Sequence, residues 1–417
     1  MATLVTQTER GLPNTAALER WVVQQGLQGN SADGVFEGFC AQLTAGGIQI
    51  QRGLSAMRVL HPLYQGFGLV WRRGVDGVAE ETYASTNASA DAWERSPLKV
   101  MVDDGEPELR RRILGPEAGD EFPLLEKFRQ EGATDYFGMI CGFAIEAANE
   151  QRFGVVFTWT TDRVDGFSDT EIDFLRATLP VLALTLRVAA NRRFAKAIAD
   201  AYLGADAARR VLSGEIERGH VHTLSAVLIY CDLCGFTALG DKLGRRELVD
   251  LLNEYLTCMA EPVETRGGQV LKFMGDGMLG TFELPADGDA AARAATSVDA
   301  LEAARDALAR VSELNIARRS ADQHTMALNV ALHLGEVAYG NVGSPTRLDF
   351  TVIGPAVNEV SRLESMCDPL ERHLLLSEAF AAAIPEDGPV LLPLGRHGLR
   401  SVREPVNLFT VENLPEP

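Results

Sequence analysis

The chain has 417 residues, 46% of them hydrophobic, which allows two or three domains with cores of their own. Its formal net charge of −19 argues against nucleic acid as a partner, because a phosphate-binding footprint is basic. Met1 to Arg10 lacks the layout of a signal peptide, and the longest apolar run, Leu179 to Leu186, is too short to span a bilayer, so a cytoplasmic protein with no membrane span is expected.

In chain order, the region from Ala16 to Arg187 mixes helical and strand patterns, with strands expected at 66–72, 139–145 and 153–160. Ser168 and Glu171 have the spacing of a capping box ahead of an amphipathic run. A final strand, a turn and a closing helix resemble a GAF-type sensor domain, by pattern and not by ligand residues. The resemblance implies either an unidentified small-molecule ligand at the N-terminal domain or a dimer scaffold. Ile172, Leu175, Leu179, Leu182, Leu186 and Ala189 alternate by three and four. That stripe suits pairing across a dimer, or packing on the domain's own sheet. Pro180 should kink the helix or shift its register. Asn191 to Arg218 reads as a charged helical connector broken near Gly204 and Gly214. The expected division is a regulatory domain at 1–187, a linker at 188–222 and a catalytic domain at 223–417.

The second half carries the chemistry. Ala226 to Tyr230 is a short apolar run that reads as a buried strand, with Asp232 just beyond it. Gly235 lets the backbone approach a ligand closely, and Gly235-Phe236-Thr237 turns into a helical pattern from about Ala238, whose start offers free N–H groups to phosphate oxygens. Val270–Met274 and Met278–Phe282 read as strands joined by a turn at Gly275-Asp276-Gly277. If these strands lie beside the first, Asp232 and Asp276 meet at one end of the sheet. Carboxylates are the ligands that hard divalent ions prefer. Asn358 and Arg362, four residues apart, share a helix face and suit the charge that develops at an attacked phosphorus. Asp-Gly alone is ordinary turn chemistry; the four residues together point to a triphosphate site. Pro355 fits the first turn of the helix carrying Asn358, whereas Glu359 brings a negative charge beside it. Cys231 and Cys234 bracket Asp232, but no second cysteine pair accompanies them, and they read as small buried residues. His220 and His222 read as packing or linker residues.

With these motifs in place, the segment from Ser225 to Val411 resembles the class III nucleotide cyclase catalytic domain, the adenylate/guanylate cyclase family. The resemblance implies an α+β fold, with a ferredoxin-like βαββαβ cyclase domain preceded by the GAF-like α/β sensor domain and a helical linker. It implies that Asp232 and Asp276 bind two Mg2+ (or Mn2+) ions per site. Lys272 and Thr351 correspond to the base-reading pair, and Asn358 and Arg362 to the pair that orients the ribose and stabilises the transition state. Phe236 and Thr237 join the substrate-binding set. The implied reaction turns ATP into 3′,5′-cyclic AMP and pyrophosphate at a homodimer interface, with metal aspartates from one copy and base readers from the other. A protonated Lys272 donates to adenine N1, whereas guanine N1 carries a hydrogen. Guanylate or mixed specificity, and a silent nucleotide-binding regulator, are the alternatives. A basic residue for the terminal phosphates is implied near the C-terminus, among Arg396, Arg400 and Arg403.

Overall fold

The computed structural model describes residues 12–59, 64, 66–83, 94–114, 122–143, 153–240, 242–285, 289–400 and 405–414. The chain forms two compact units, Met1–Ile198 and Ala199–Pro417. Among the described residues no helix is long and apolar enough to cross a membrane.

The first unit comprises α1 (Thr15–Leu27), α2 (Ala32–Ala45), β1 (Arg52–Arg58), β2 (Gly66–Arg72), β3 (Val78–Tyr83), α3 (Pro97–Asp104), β4 (Glu108–Arg112), α4 (Pro123–Gln130), β5 (Asp135–Phe143), β6 (Phe153–Thr161) and α5 (Asp169–Leu203). Its six strands run β3-β2-β1-β6-β5-β4, each antiparallel to its neighbour. Alternate residues send Met57, Leu69, Phe137, Phe157 and Trp159 to one face, where they pack on Phe36, Phe39, Leu175 and Leu182 from the helices. A smaller cluster of Ile113, Leu125, Phe128 and Tyr136 packs separately.

The expected capping box is present. Ser168 N–H donates to Glu171 Oε2 at 2.7 Å and Glu171 N–H to Ser168 Oγ at 3.3 Å. Burial raises the Glu171 carboxyl, but Arg163 and Ser168 outweigh it and hold it below the usual range. α5 continues through Pro180 and past residue 187 without a break. Of the two uses open to its apolar stripe, the structure selects the domestic one: Ile172, Leu175, Leu179, Leu182 and Leu186 are buried in the unit's own core. Leu184 and Val188 are the large apolar residues that stretch leaves exposed.

The second unit contains α6 (Ala205–Leu212), β7 (Val221–Cys234), α7 (Phe236–Gly240), α8 (Arg245–Thr265), β8 (Gln269–Met274), β9 (Gly277–Glu283), α9 (Ala290–Ser320), β10 (Ala327–Ser344), β11 (Arg347–Ile353), α10 (Pro355–Glu364), α11 (Cys367–Leu370), β12 (Leu374–Ser377), α12 (Glu378–Ala381), β13 (Leu391–His397) and β14 (Val406–Val411). The connector breaks where expected, at Gly204 and Gly214, both with positive φ. The sheet runs β13-β14-β12-β10-β7-β9-β8, with β11 paired to β10. Within it β10-β7-β9-β8 is the ferredoxin-like order, made by β7-α8-β8-β9-α9-β10. Alternation splits β7 between two cores: Val227, Ile229 and Cys231 face α8 and α9, while Leu228 faces α10. β8 carries one extra residue between Val270 and Lys272.

A buried polar knot ties the helices to the sheet. Tyr255 on α8 donates to Asn315 Oδ1 on α9 at 2.5 Å and accepts from Met326 N–H at 3.0 Å, and Asn315 donates to Met326 O at 2.8 Å. Tyr255→Phe leaves the Met326 N–H and the Asn315 carbonyl unpaired. It should destabilise this unit by about 1–3 kcal/mol, read from urea unfolding midpoints at an unchanged m-value.

Candidate active site

The two aspartates come together because of strand register. Asp232 lies near the end of β7, directly opposite Asn329 of β10. On its other side β7 pairs with β9 as far as Cys231 opposite Met278, which brings the β8–β9 turn alongside Asp232. That turn is Gly275-Asp276, with Gly275 at φ +67°, where a two-residue hairpin needs a left-handed residue. Gly277 is required for a different reason: a Cβ there would sit 2.6 Å from Asp232 Oδ1. Asp232 thus belongs to the strand, and α7 starts at Phe236, just after the left-handed Gly235 at φ +77°. Phe236 and Thr237 form the first turn of α7, at the end of the strand that carries Asp232.

The electrostatics of this corner are unfavourable without a cation. Burial, then the charges of Asp276 and Asp368, push the Asp232 carboxyl up to about 6. Glu364, at the end of α10, is pushed up to about 7 by burial and by Asp232, with a hydrogen bond from Asn329 only partly offsetting this. Asn329 also donates to Asp368 Oδ1 at 2.8 Å. Among the described residues no group of three or more His, Cys, Asp and Glu side chains has the arrangement of a metal centre. Two carboxylates completed by water and substrate phosphates is, however, the way Mg2+ is usually held. Half-buried carboxyls raised by burial and by neighbouring acids, as at Asp232 and Glu364, are the chemistry a hard cation relieves, so the donor set fits the expected metals.

The base-reading candidates form a second group. Lys272 Nζ lies 3.7 Å from Asp349 Oδ2 on β11. Thr351, two residues further along β11, is buried and its Oγ1 has no hydrogen-bond partner. Asn358 and Arg362 sit on α10, with Pro355 in its first turn as expected, Asn358 exposed and Arg362 half-buried. Glu359 turns away from this pair toward His333, whose Nε2 is 3.4 Å from Glu359 Oε2. Among the described residues no hydrogen bond or ion pair joins Asp232 or Asp276 to Lys272, Asn358 or Arg362.

Sequence reasoning missed Asn329, Asp349, Glu364 and Asp368. Glu364 carried a faint signal, as an acid two residues after Arg362. Cys231 is buried in the α8/α9 core, whereas the Cys234 thiol faces Asp368, and both are free. Arg396 donates to Pro405 O at 3.0 Å, Arg400 is exposed, and Arg403 lies outside the described residues.

The raised carboxyls have a sign that stability measurements can read. Asp232 and Glu364 hold protons more tightly folded than unfolded, so the stability tied to them is present below about pH 4 and is lost as pH rises through about 6 and 7. In EDTA, the unfolding midpoint should fall across that window. Asp276→Asn, which removes a like charge, should flatten the fall.

Residues 221–382 match the sequence model of the "Adenylate and Guanylate cyclase catalytic domain". The chain is 30% identical over 167 residues to an adenylate cyclase of Anabaena cylindrica, covering 39% of this chain and 32% of that one. It is 29% identical over 188 residues to adenylate cyclase 1 of Rhizobium meliloti (strain 1021), covering 43% and 27%. The matches thus span less than a third of each of these relatives. Among solved structures, the adenylyl cyclase CyaB from P. aeruginosa aligns at 27% identity and a TM-score of 0.40, covering 46% of this chain and 96% of that one.

Proposed function

We propose, from the premise that residues 221–382 belong to the adenylate and guanylate cyclase catalytic domain family, that this chain is an adenylate cyclase acting as a homodimer. It would convert ATP to 3′,5′-cyclic AMP and pyrophosphate. The observation that carries the reading is the meeting of Asp232 on β7 with Asp276 in the adjoining β8–β9 turn, in a segment matched to that family. Asp232 and Asp276 would hold two Mg2+ or Mn2+ ions, whose chemistry is to acidify the ribose 3′-hydroxyl and offset charge on the departing pyrophosphate.

The chain's own residues supply positioning and charge. Asn358 orients the ribose so that its 3′-oxygen lies in line with the α-phosphorus. Arg362 places a permanently charged fork where negative charge accumulates on the α-phosphoryl oxygens. Lys272 donates to adenine N1, and the unpartnered Thr351 hydroxyl accepts from the 6-amino group. Asp349 steadies Lys272 from the same chain. That carboxylate is also the one feature favouring a guanylate reading, since it offers an acceptor to guanine N1–H. The N-terminal unit is read as the regulatory domain, of GAF type, and the protein as cytoplasmic.

Purified full-length protein with ATP or GTP and Mg2+ or Mn2+ should yield cyclic AMP in preference to cyclic GMP, and Asp276→Ala should abolish it. Nucleotide binding without product under any metal would instead favour the silent regulator. Arg362→Ala should lower kcat by about 10²–10³-fold with a smaller change in KM. The shared-site dimer yields a sharper test. Asp276→Ala and Arg362→Ala, each inactive, should on mixing and re-equilibration recover roughly a quarter of wild-type activity, because half the dimers are mixed and each holds one intact site. No recovery, with subunit exchange verified, would defeat the shared-site dimer.

A further inference from the structure

We propose that the N-terminal unit binds a small oxyanion, a carboxylate or a phosphate group, at a site built on Arg52 and Tyr136. The two residues flank Thr160 across the sheet: Arg52 pairs with Thr160 from β1, and Tyr136 pairs with it from β5. Directly opposed residues point to the same side of a sheet, so the three side chains form one row on the face away from α1, α2 and α5. Arg72 of β2, opposite Arg52, extends that row.

Arg52 is the anomaly. It is 8% exposed, its guanidinium lies over the Phe128 ring at 5.1 Å, and its Nε is buried with no hydrogen-bond partner. Among the described residues no carboxylate forms an ion pair with it. The nearby acids are engaged elsewhere: Glu131 pairs with Arg72 at 3.0 Å, and Glu81 accepts from the Tyr83 hydroxyl at 2.9 Å. Phe128 stacks in turn on Tyr136, whose hydroxyl is also fully buried and unpartnered. Burial and the charge of Arg72 lower the Arg52 pKa, so its neighbourhood on balance disfavours the cation.

A buried guanidinium with no ion pair of its own is among the costlier things a fold can keep. The other buried orphan side chains of this unit, Gln42, Ser55 and Trp159, are neutral, and their cost is that of a single missing hydrogen bond. An oxyanion accepting from the Arg52 fork and from the Tyr136 hydroxyl satisfies both orphans at once. This assignment does not depend on the catalytic reading.

The test is the melting of the full-length protein in sodium phosphate or sodium acetate, against sodium chloride at equal ionic strength. A saturable rise in Tm with either anion is expected, and which one produces it distinguishes phosphate from carboxylate. Arg52→Met should melt at or above wild type without anion, and should lose the rise. Tyr136→Phe should keep the fold with a weaker response. The Arg52 variant also separates this site from phosphate binding in the catalytic unit. Should Arg52→Met not fold, Arg52→Lys keeps the charge without the fork and should need about tenfold more anion for half-saturation. The proposal is overturned if wild type shows no saturable rise with either anion. It is overturned equally if the Arg52 variant responds as wild type does.

Discussion

The second unit, with its candidate site, depends on one antiparallel ladder. β7 pairs with β10 along its full length, from Val221 opposite Gly340 to Cys234 opposite Ala327. Because β7 also pairs with β9, it is the strand against which every other part of the site is placed. A slip of one residue would turn Asp232 to the helix side and bury it among the α8 and α9 side chains. The apolar alternation of Val227, Ile229 and Cys231 against Leu228 therefore does more than fill two cores. It fixes which way the carboxylate points.

The second organising influence is charge held out of balance. A fold that only had to be stable would not gather Asp276 and Asp368 where their charges add to burial in raising the Asp232 and Glu364 carboxyls. Nor would it leave the Thr351 hydroxyl buried and unpaired. Local deficits of this kind suit a molecule whose ground state is completed by something it binds. The same logic applies in the N-terminal unit, where the unmatched group is cationic and not anionic.

How much of this was legible in the sequence depends on the range of the interaction. The β8–β9 turn was legible because Gly275 and Gly277 answer local backbone demands. The face shared by Asn358 and Arg362 was legible because helical periodicity is local too, and so was the Ser168–Glu171 cap. Glu364 and Asn329 were not: Glu364 nears Asp232 only when α10 packs across β7 and β10, and Asn329 only through the pairing of β7 with β10. Asp349 escaped notice because β11 must fold back on β10 before it faces Lys272. The stripe on α5 was ambiguous for a further reason: an apolar face that packs on its own sheet and one that packs on a second helix share the same period.

The extra residue in β8 reconciles two demands on one short strand. It places Leu271 and Lys272 in succession on the α10 side, while Val270 keeps its place against the other core. The strand behaves as two short segments in series, one answering to packing and the other to the hairpin that carries Lys272 and Asp276. Strict alternation would put Val270 and Lys272 on one face of the sheet; the added residue lets Val270 stay with the α8 and α9 core while Lys272 turns toward β11.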